Sequence, residues 1–272
     1  MENAIQTFST AIKEWESNFF GFNFATLNVD ASIDINNFYE GHEKYKLELS
    51  ELLTKADKDF ELLEAIVDTR ISFVMPLLED LGFRFVDSKI SFLTPFEKSN
   101  IQGQIFEVQN SKIRIREKVE ADYKAISDLS INFMVHDKLF VSKYKNKLFF
   151  APDLAEKYFR EWIKNTFKSE NAIISVAVNE LDDVIGFFIY EKKGMYKDLP
   201  VYKGILTVVN PEYRGSDIHL SLQSFIFNKI TDEKFNIDNT TQVTNVPIIR
   251  NHIKSDRYLN NISFILIRKK LS

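Results

Sequence analysis

The clearest pattern along the chain lies between Pro152 and Phe167, where Leu154, Tyr158, Phe159, Trp162, Ile163 and Phe167 recur at helical intervals behind a first turn of Pro152, Asp153 and Glu156. One face of that helix must be buried. Two β-rich runs follow, Ala172 to Val178 and Val184 to Tyr190, and the polar turn Asn179 to Asp183 between them predicts an antiparallel hairpin. The hydrophobic run Gly204 to Val209 reads as a buried strand stopped by Pro211, after which Ile218, Leu222, Phe225, Ile226 and Ile230 mark a helix. A short strand at Thr241 to Thr244, a short helix at Pro247 to Lys254 and a strand at Ile262 to Arg268 complete this half. With a strand at Lys112 to Glu117 and a helix from Glu120 to Leu129 ahead of them, the order is β, α, α, β, β, β, α, β, α, β, which is mixed α/β.

The first half is patterned less cleanly. Phe22 to Val29 is a predicted strand, Phe60 to Asp68 reads as a strand or a buried segment, and Ile35 to Ala56 holds helical stretches. Ile71 to Leu81 is a helix ended by Gly82, a residue suited to a left-handed cap, ahead of a strand near Lys89 to Thr94. The polar stretch Asn100 to Asn110 separates the halves, which sets an α+β domain at residues 1–105 and a larger one at 106–272.

Composition removes several classes of function. The 272 residues, 44% of them hydrophobic, suffice for a sizeable core, and the 25 phenylalanines are read first as part of it. The absence of cysteine excludes disulfides, thiolate nucleophiles and cysteine-ligated metals. The histidines His42, His136, His219 and His252 show no ligand spacing, so no metal is expected. A net charge of -4 gives no basic footprint for nucleic acid. No apolar run of about 18 residues and no signal-peptide order at the N-terminus are found, which predicts a soluble, cytoplasmic protein.

Val208 to His219 reads V-V-N-P-E-Y-R-G-S-D-I-H, a strand, a turn and a helix start, the layout in which an anion meets helix-terminal N–H groups. It resembles the acyl-CoA loop of the GNAT N-acetyltransferase superfamily, whose pattern is Arg or Gln, two residues, Gly, one residue, then Gly or Ala. Arg214 fits, while Asp217 and His219 stand at the two small-residue positions. The element order from Lys112 to Ser272 is similar to the GNAT fold. Ser142-Lys143-Tyr144, Pro152 to Ala155 and Trp162 to Thr166 resemble a region of nucleotide-sugar N-acetyltransferases, the TDP-fucosamine acetyltransferase group in particular. Thr241 to Ser255 resembles that group's terminal motif, with Asn245 at its helix-opening Asn and His252 where the group has the Tyr that protonates the leaving thiolate. Trp15-Glu16-Ser17, Phe19-Phe20-Gly21, Asp68-Thr69-Arg70 and Leu81-Gly82-Phe83 look like its accessory domain.

The resemblance implies a GNAT acyltransferase fold, with a central mixed sheet, preceded by a smaller α+β accessory domain. It further implies an N-acyltransferase that takes acetyl-CoA, or another acyl-CoA, as cosubstrate and acts on an amino group, that of a nucleotide-linked amino sugar being one acceptor. The thioester would lie along Thr207, Val208 and Val209, and the pyrophosphate against Arg214, Gly215, Ser216, Asp217, Ile218 and His219, with Asn245 close by. Lys143 and Tyr144, in a basic aromatic segment from Lys138 to Phe150, would meet the sugar nucleotide. A solvated loop with aromatic anchors is the plainer reading of that segment. His252 is the candidate general acid or base, and a partly buried structural histidine is its alternative. The expected partner is a small-molecule amine, neither nucleic acid nor membrane, and a homodimer is left open.

Two loop residues weigh against this function. A carboxylate beside a pyrophosphate is unfavourable by on the order of 1 kcal/mol per charge pair in water at about 4 Å. Asp217 has an alternative use, satisfying the free N–H groups of its own helix. His219 reads as a solvent-facing helix residue, and Asn245 as the cap of the helix that Pro247 begins. The rival function is a non-catalytic binding or scaffold protein that keeps the fold with a degenerate CoA loop.

Overall fold

The structure, a computed structural model, describes residues 7–99, 112–137, 140–214 and 217–270. The chain forms two compact units. One takes the chain up to Lys89, Ser142–Phe150 and the chain from Asn261, and the other takes Ile90–Val141 and Ala151–Asn260. Residues 105 and 106, on either side of the expected boundary, lie outside the described residues.

In the first unit β1 (Phe8–Ile12), β2 (Phe24–Val29), β3 (Leu62–Asp68) and most of β10 (Leu259–Lys269) lie side by side in that order. β1 and β2 are antiparallel, β2 and β3 parallel, β3 and β10 antiparallel. Alternation along β3 sends Leu63, Ala65 and Val67 into a core shared with Phe38 of α2 (Ile35–Glu40), Leu49 and Leu53 of α3 (His42–Asp59) and Leu77 and Leu78 of α4 (Met75–Asp80). Gly82 follows α4 with φ 91°, the left-handed conformation expected of its cap. α1 (Glu14–Phe20) and β1 were not anticipated from periodicity, being too short to show one. Glu64, on the opposite side of β3 from that core, is 1% exposed and accepts from Lys13 at 2.6 Å and from Lys143. That second ion pair fixes Ser142–Phe150 to the first unit.

In the second unit the strands follow the order β4 (Arg84–Glu97, its later half), β9 (Lys234–Gln242), β8 (Leu199–Val209), β7 (Val184–Tyr196), β6 (Ala172–Val178), β5 (Arg114–Glu117). β5 to β8 pair antiparallel in a meander, as the hairpin reading requires, whereas β8 and β9 are parallel. β7 is apolar on both faces. Phe187 and Ile189 pack with Ile126 of α5 (Tyr123–Ile131) and with Ile163 and Phe167 of α6 (Leu154–Lys168). Phe188 and Tyr190 pack with Ile218, Leu222 and Phe227 of α7 (Ile218–Lys229). The short helix α8 spans Val246–Lys254.

β9 departs most from the sequence reading, which places only Thr241 to Thr244 in a strand. The observed strand starts at Lys234 and ends at Gln242, because Phe235 and Ile237 alternate with polar residues that find partners; Asn236 donates to the Tyr196 carbonyl at 3.0 Å. Buried asparagines concealed an ordinary alternation.

Candidate functional site

The site is built where β8 loses its partner. Along the β7–β8 pair Ile189 opposes Leu206 and Tyr190 opposes Gly204, which leaves Ile205 as an extra residue, a β-bulge. On the other edge of β8 the parallel pairing with β9 runs from Val201–Asn236 to Gly204–Asn239 and goes no further, although β8 continues to Val209 and β9 to Gln242. Bulge and parting coincide. From Ile205 to Val209 the edge of β8 that would face β9 has no strand partner among the described residues, and Thr207, Val208 and Val209 lie within it.

Gly204 is required at the parting point. A Cβ there would lie 2.3 Å from Asn239 Oδ1, the atom that accepts the buried Tyr190 hydroxyl at 2.7 Å. Gly204→Ala is therefore expected to cost about 2 kcal/mol through overpacking and a disturbed buried hydrogen bond, seen as a lower urea midpoint at unchanged m-value.

Beyond β8 a 3₁₀ turn at Pro211–Tyr213, started by an Asn210 side chain that accepts from Glu212 N, leads toward α7. Arg214 is exposed and donates from Nε to the Val209 carbonyl at 3.2 Å. Gly215 and Ser216 lie outside the described residues. Asp217 holds φ 54° and ψ 15°, the left-handed region that glycine enters most easily and that Asp and Asn tolerate better than most other residues. The backbone thus keeps a glycine-like path at the position where the sequence departs from the pattern.

The Asp217 carboxylate makes no capping bond to α7 and accepts instead from Lys254 Nζ of α8 at 2.7 Å. This corrects the expectation of self-capping, since the left-handed backbone and the lysine take the carboxylate away from the helix N–H groups. Asn245 is a second correction. It stands at the N-cap position of α8, but its side chain makes no capping bond and donates to Thr241 Oγ1 at 3.2 Å.

His219 does not face solvent. It is 7% exposed, its ring 5.1 Å from Phe188 and 6.2 Å from His252, which is itself 2% exposed and lies 4.9 Å from Phe92. Helices α7 and α8 therefore meet twice, at Asp217 with Lys254 and at His219 with His252. Neither ring nitrogen of His219, nor Nδ1 of His252, has a hydrogen-bond partner among the described residues. Burial, with a contribution from the Arg257 cation, pulls the His219 pKa down to about 4. Burial, then His219 and Arg257, pulls His252 down to about 3. Both imidazoles are neutral at pH 7.

Beneath them runs a buried polar chain. Arg257 donates to Gln223 Oε1 at 3.0 Å, Gln223 Nε2 donates to the Tyr190 hydroxyl at 2.6 Å, and that hydroxyl donates to Asn239. Arg257 also lies over the rings of Phe96 and Phe227, at 4.5 and 5.1 Å. Sequence reasoning missed Tyr190, Gln223, Asn239, Lys254 and Arg257. Only Gly204, a glycine in an apolar strand, carried a readable signal of close approach.

Lys143 and Tyr144 belong to the first unit, whereas the other sequence-predicted site residues with described positions belong to the second. Tyr144 is buried against Phe20 and Phe150 and the half-buried Lys143 is ion-paired to Glu64, so this part of the segment is no solvated loop. Lys138 lies outside the described residues. Arg70 is engaged by Asp68 at 2.6 Å and Arg116 by Asp122 at 2.7 Å.

No family model and no curated protein matches the chain. Solved structures do match it. A GCN5-related N-acetyltransferase from Sphaerobacter thermophilus superposes with a TM-score of 0.56 at 11% identity, over 98% of this chain and 78% of that one. A tandem GNAT protein from the clavulanic acid biosynthesis pathway gives 0.54 at 11% identity, over 92% and 76%. A GCN5-related N-acetyltransferase from Kribbella flavida gives 0.51 at 8% identity, over 90% and 81%. At such identities the likeness is one of fold, and that fold is the mixed α/β GNAT arrangement.

Proposed function

We propose that this chain, which has the GNAT fold, is an acyl-CoA-dependent N-acyltransferase acting on an amino group. The observation that carries the reading is the parting of β8 from β9 at the bulged Ile205. An acyl thioester supplies an activated carbonyl. Unpaired backbone N–H groups from Ile205 to Val209 would polarise it as an amine attacks, and the start of α7 with Arg214 would face the pyrophosphate. The residues present suit such a ligand, because Asp217 holds a glycine-like backbone and directs its carboxylate to Lys254.

His252 enters this proposal as a neutral imidazole, a proton acceptor only as the attacking amine becomes acidic in the tetrahedral intermediate. With its pKa near 3 it contributes no ionisation to the rate between pH 5 and 9. We expect His252→Ala to lower kcat more than acyl-CoA affinity, and the wild-type kcat profile to lack a limb near pH 6.5. Unchanged turnover in the variant removes His252 from the chemistry.

A nucleotide-linked amino sugar is the acceptor favoured by the sequence resemblance to TDP-fucosamine acetyltransferases. Lys143 and Tyr144 in their observed contacts do not add to it, so the proposal stands on the parting of β8 from β9 in the second unit. Calorimetric titration with acetyl-CoA is expected to show one saturable site. No heat at millimolar ligand with folded protein ends the enzyme reading. One observation favours the rival, a non-catalytic binding protein: His252, at the position that by sequence resemblance would hold the thiolate-protonating Tyr, is a buried neutral imidazole. Acylation of any amine, followed as released thiol, excludes it.

A further inference from the structure

We infer that Lys254 is a positioning residue that makes the Asp217 loop compatible with an anionic ligand by drawing the Asp217 carboxylate away from the start of α7. The inference deepens the acyl-CoA reading above and rests on it.

An aspartate at the first position of a helix ordinarily turns its carboxylate onto the free N–H groups, where it would compete with any incoming phosphate. Here it does not. The left-handed backbone at Asp217, φ 54° and ψ 15°, leaves no capping bond, and Lys254 Nζ takes the carboxylate at 2.7 Å. The pair is open to solvent, with side-chain exposures of 51% for Lys254 and 36% for Asp217, so it contributes little to stability. A structural clamp is a poor account of it.

Its consequence is placement of charge. The lysine sits in the last turn of α8, whose His252 and following Ser255 are buried at 2% and 3% exposure, so the turn that carries it is anchored. Neutralised by that ammonium, Asp217 no longer sets a lone negative charge against a pyrophosphate at the α7 terminus. The departure at residue 217 is thus answered by a residue 37 positions later in the chain.

The test uses coenzyme A itself as the probe, titrated calorimetrically into five proteins: wild type, Lys254→Met, Lys254→Arg, Asp217→Gly and the Asp217→Gly/Lys254→Met double variant. Asp217→Gly should fold well, since glycine suits the left-handed backbone. Lys254→Met is expected to weaken binding about tenfold, because it exposes one unscreened carboxylate to a doubly charged group. Asp217→Gly is expected to bind at least as tightly as wild type, and adding it to Lys254→Met should restore affinity to within about threefold of wild type. Lys254→Arg should keep wild-type affinity. Melting temperatures measured alongside separate this from a structural role, which would lower Tm in Lys254→Met and leave affinity unrescued.

If wild type binds and Lys254→Met binds equally well, the inference is wrong. An equal loss from Lys254→Met in both backgrounds also overturns it, since Lys254 would then touch the phosphate directly. Failure of wild type itself to bind coenzyme A removes the acyl-CoA reading, and the inference with it.

Discussion

Moving the protein from pH 7 to pH 5 is expected to remove about 4 kcal/mol of folding stability, through His219 and His252. Both are buried as neutral rings, with pKa values drawn down to about 4 and about 3, whereas in the unfolded chain they titrate near 6.5. The unfolded state therefore binds more protons than the native state throughout this window, and stability rises with pH. The loss begins as pH falls through about 6.5 and levels off only below the native values. Carboxylates held low by their partners, such as Glu64 at about 2, do not contribute above pH 5. Urea midpoints measured at half-unit steps check the prediction, and His219→Phe or His252→Phe should each remove roughly half of the slope. A flat profile between pH 7 and 5 would show that neither ring is held neutral. Because the two rings join α7 to α8, the acid-induced weakening should be felt first at the start of α7, where hydrogen exchange can follow it.

The second large effect is expected at Glu64. Burial alone would raise its pKa, but Lys143 and Lys13 outweigh burial and hold it at about 2. Lys143 is in turn lowered to about 8 by burial, which Glu64 only partly opposes while Lys13 and Lys89 add to the lowering. One carboxylate thus serves two lysines inside the first unit. Glu64→Ala leaves two poorly solvated ammonium groups facing each other and is expected to cost about 3–5 kcal/mol. Removing Lys143 as well should recover part of that loss, since the repulsion and one desolvated charge disappear together. Denaturant titration of Glu64→Ala, Lys143→Met and the pair gives the coupling directly. A loss below 1 kcal/mol in the single variant would show that water reaches the lysines and compensates them.

Much of the fold was legible because apolar spacing survives in α6, β6, β7 and β8, where one or both faces meet a core. β9 was legible only at its end, since its inward Phe235 and Ile237 alternate with Asn236 and Asp238 and are followed on the same face by Asn239, residues that usually signal turns. At the site, the loop pattern around Arg214 was readable, but the fate of its two departures was not. His219 looks like a surface residue in one dimension and is buried in three, because α8 and Phe188 cover it. Asp217 looks like a helix cap and is not one, because its partner lies on another helix. Periodicity reports which face of an element is buried; it carries no information on which distant side chain reaches a given charge.

The membership of Ser142–Phe150 and of most of β10 in the first unit bears on the order in which a nascent chain can mature. β3 precedes all of the second unit in the chain, yet its antiparallel partner, Ser263 to Lys269 opposite Leu62 to Asp68, follows that unit. Glu64 likewise waits for Lys143 to be made. The first unit therefore closes only after the second has been made, and until then it carries an unpaired apolar strand edge and an unneutralised buried carboxylate, a state in which chaperone protection matters most.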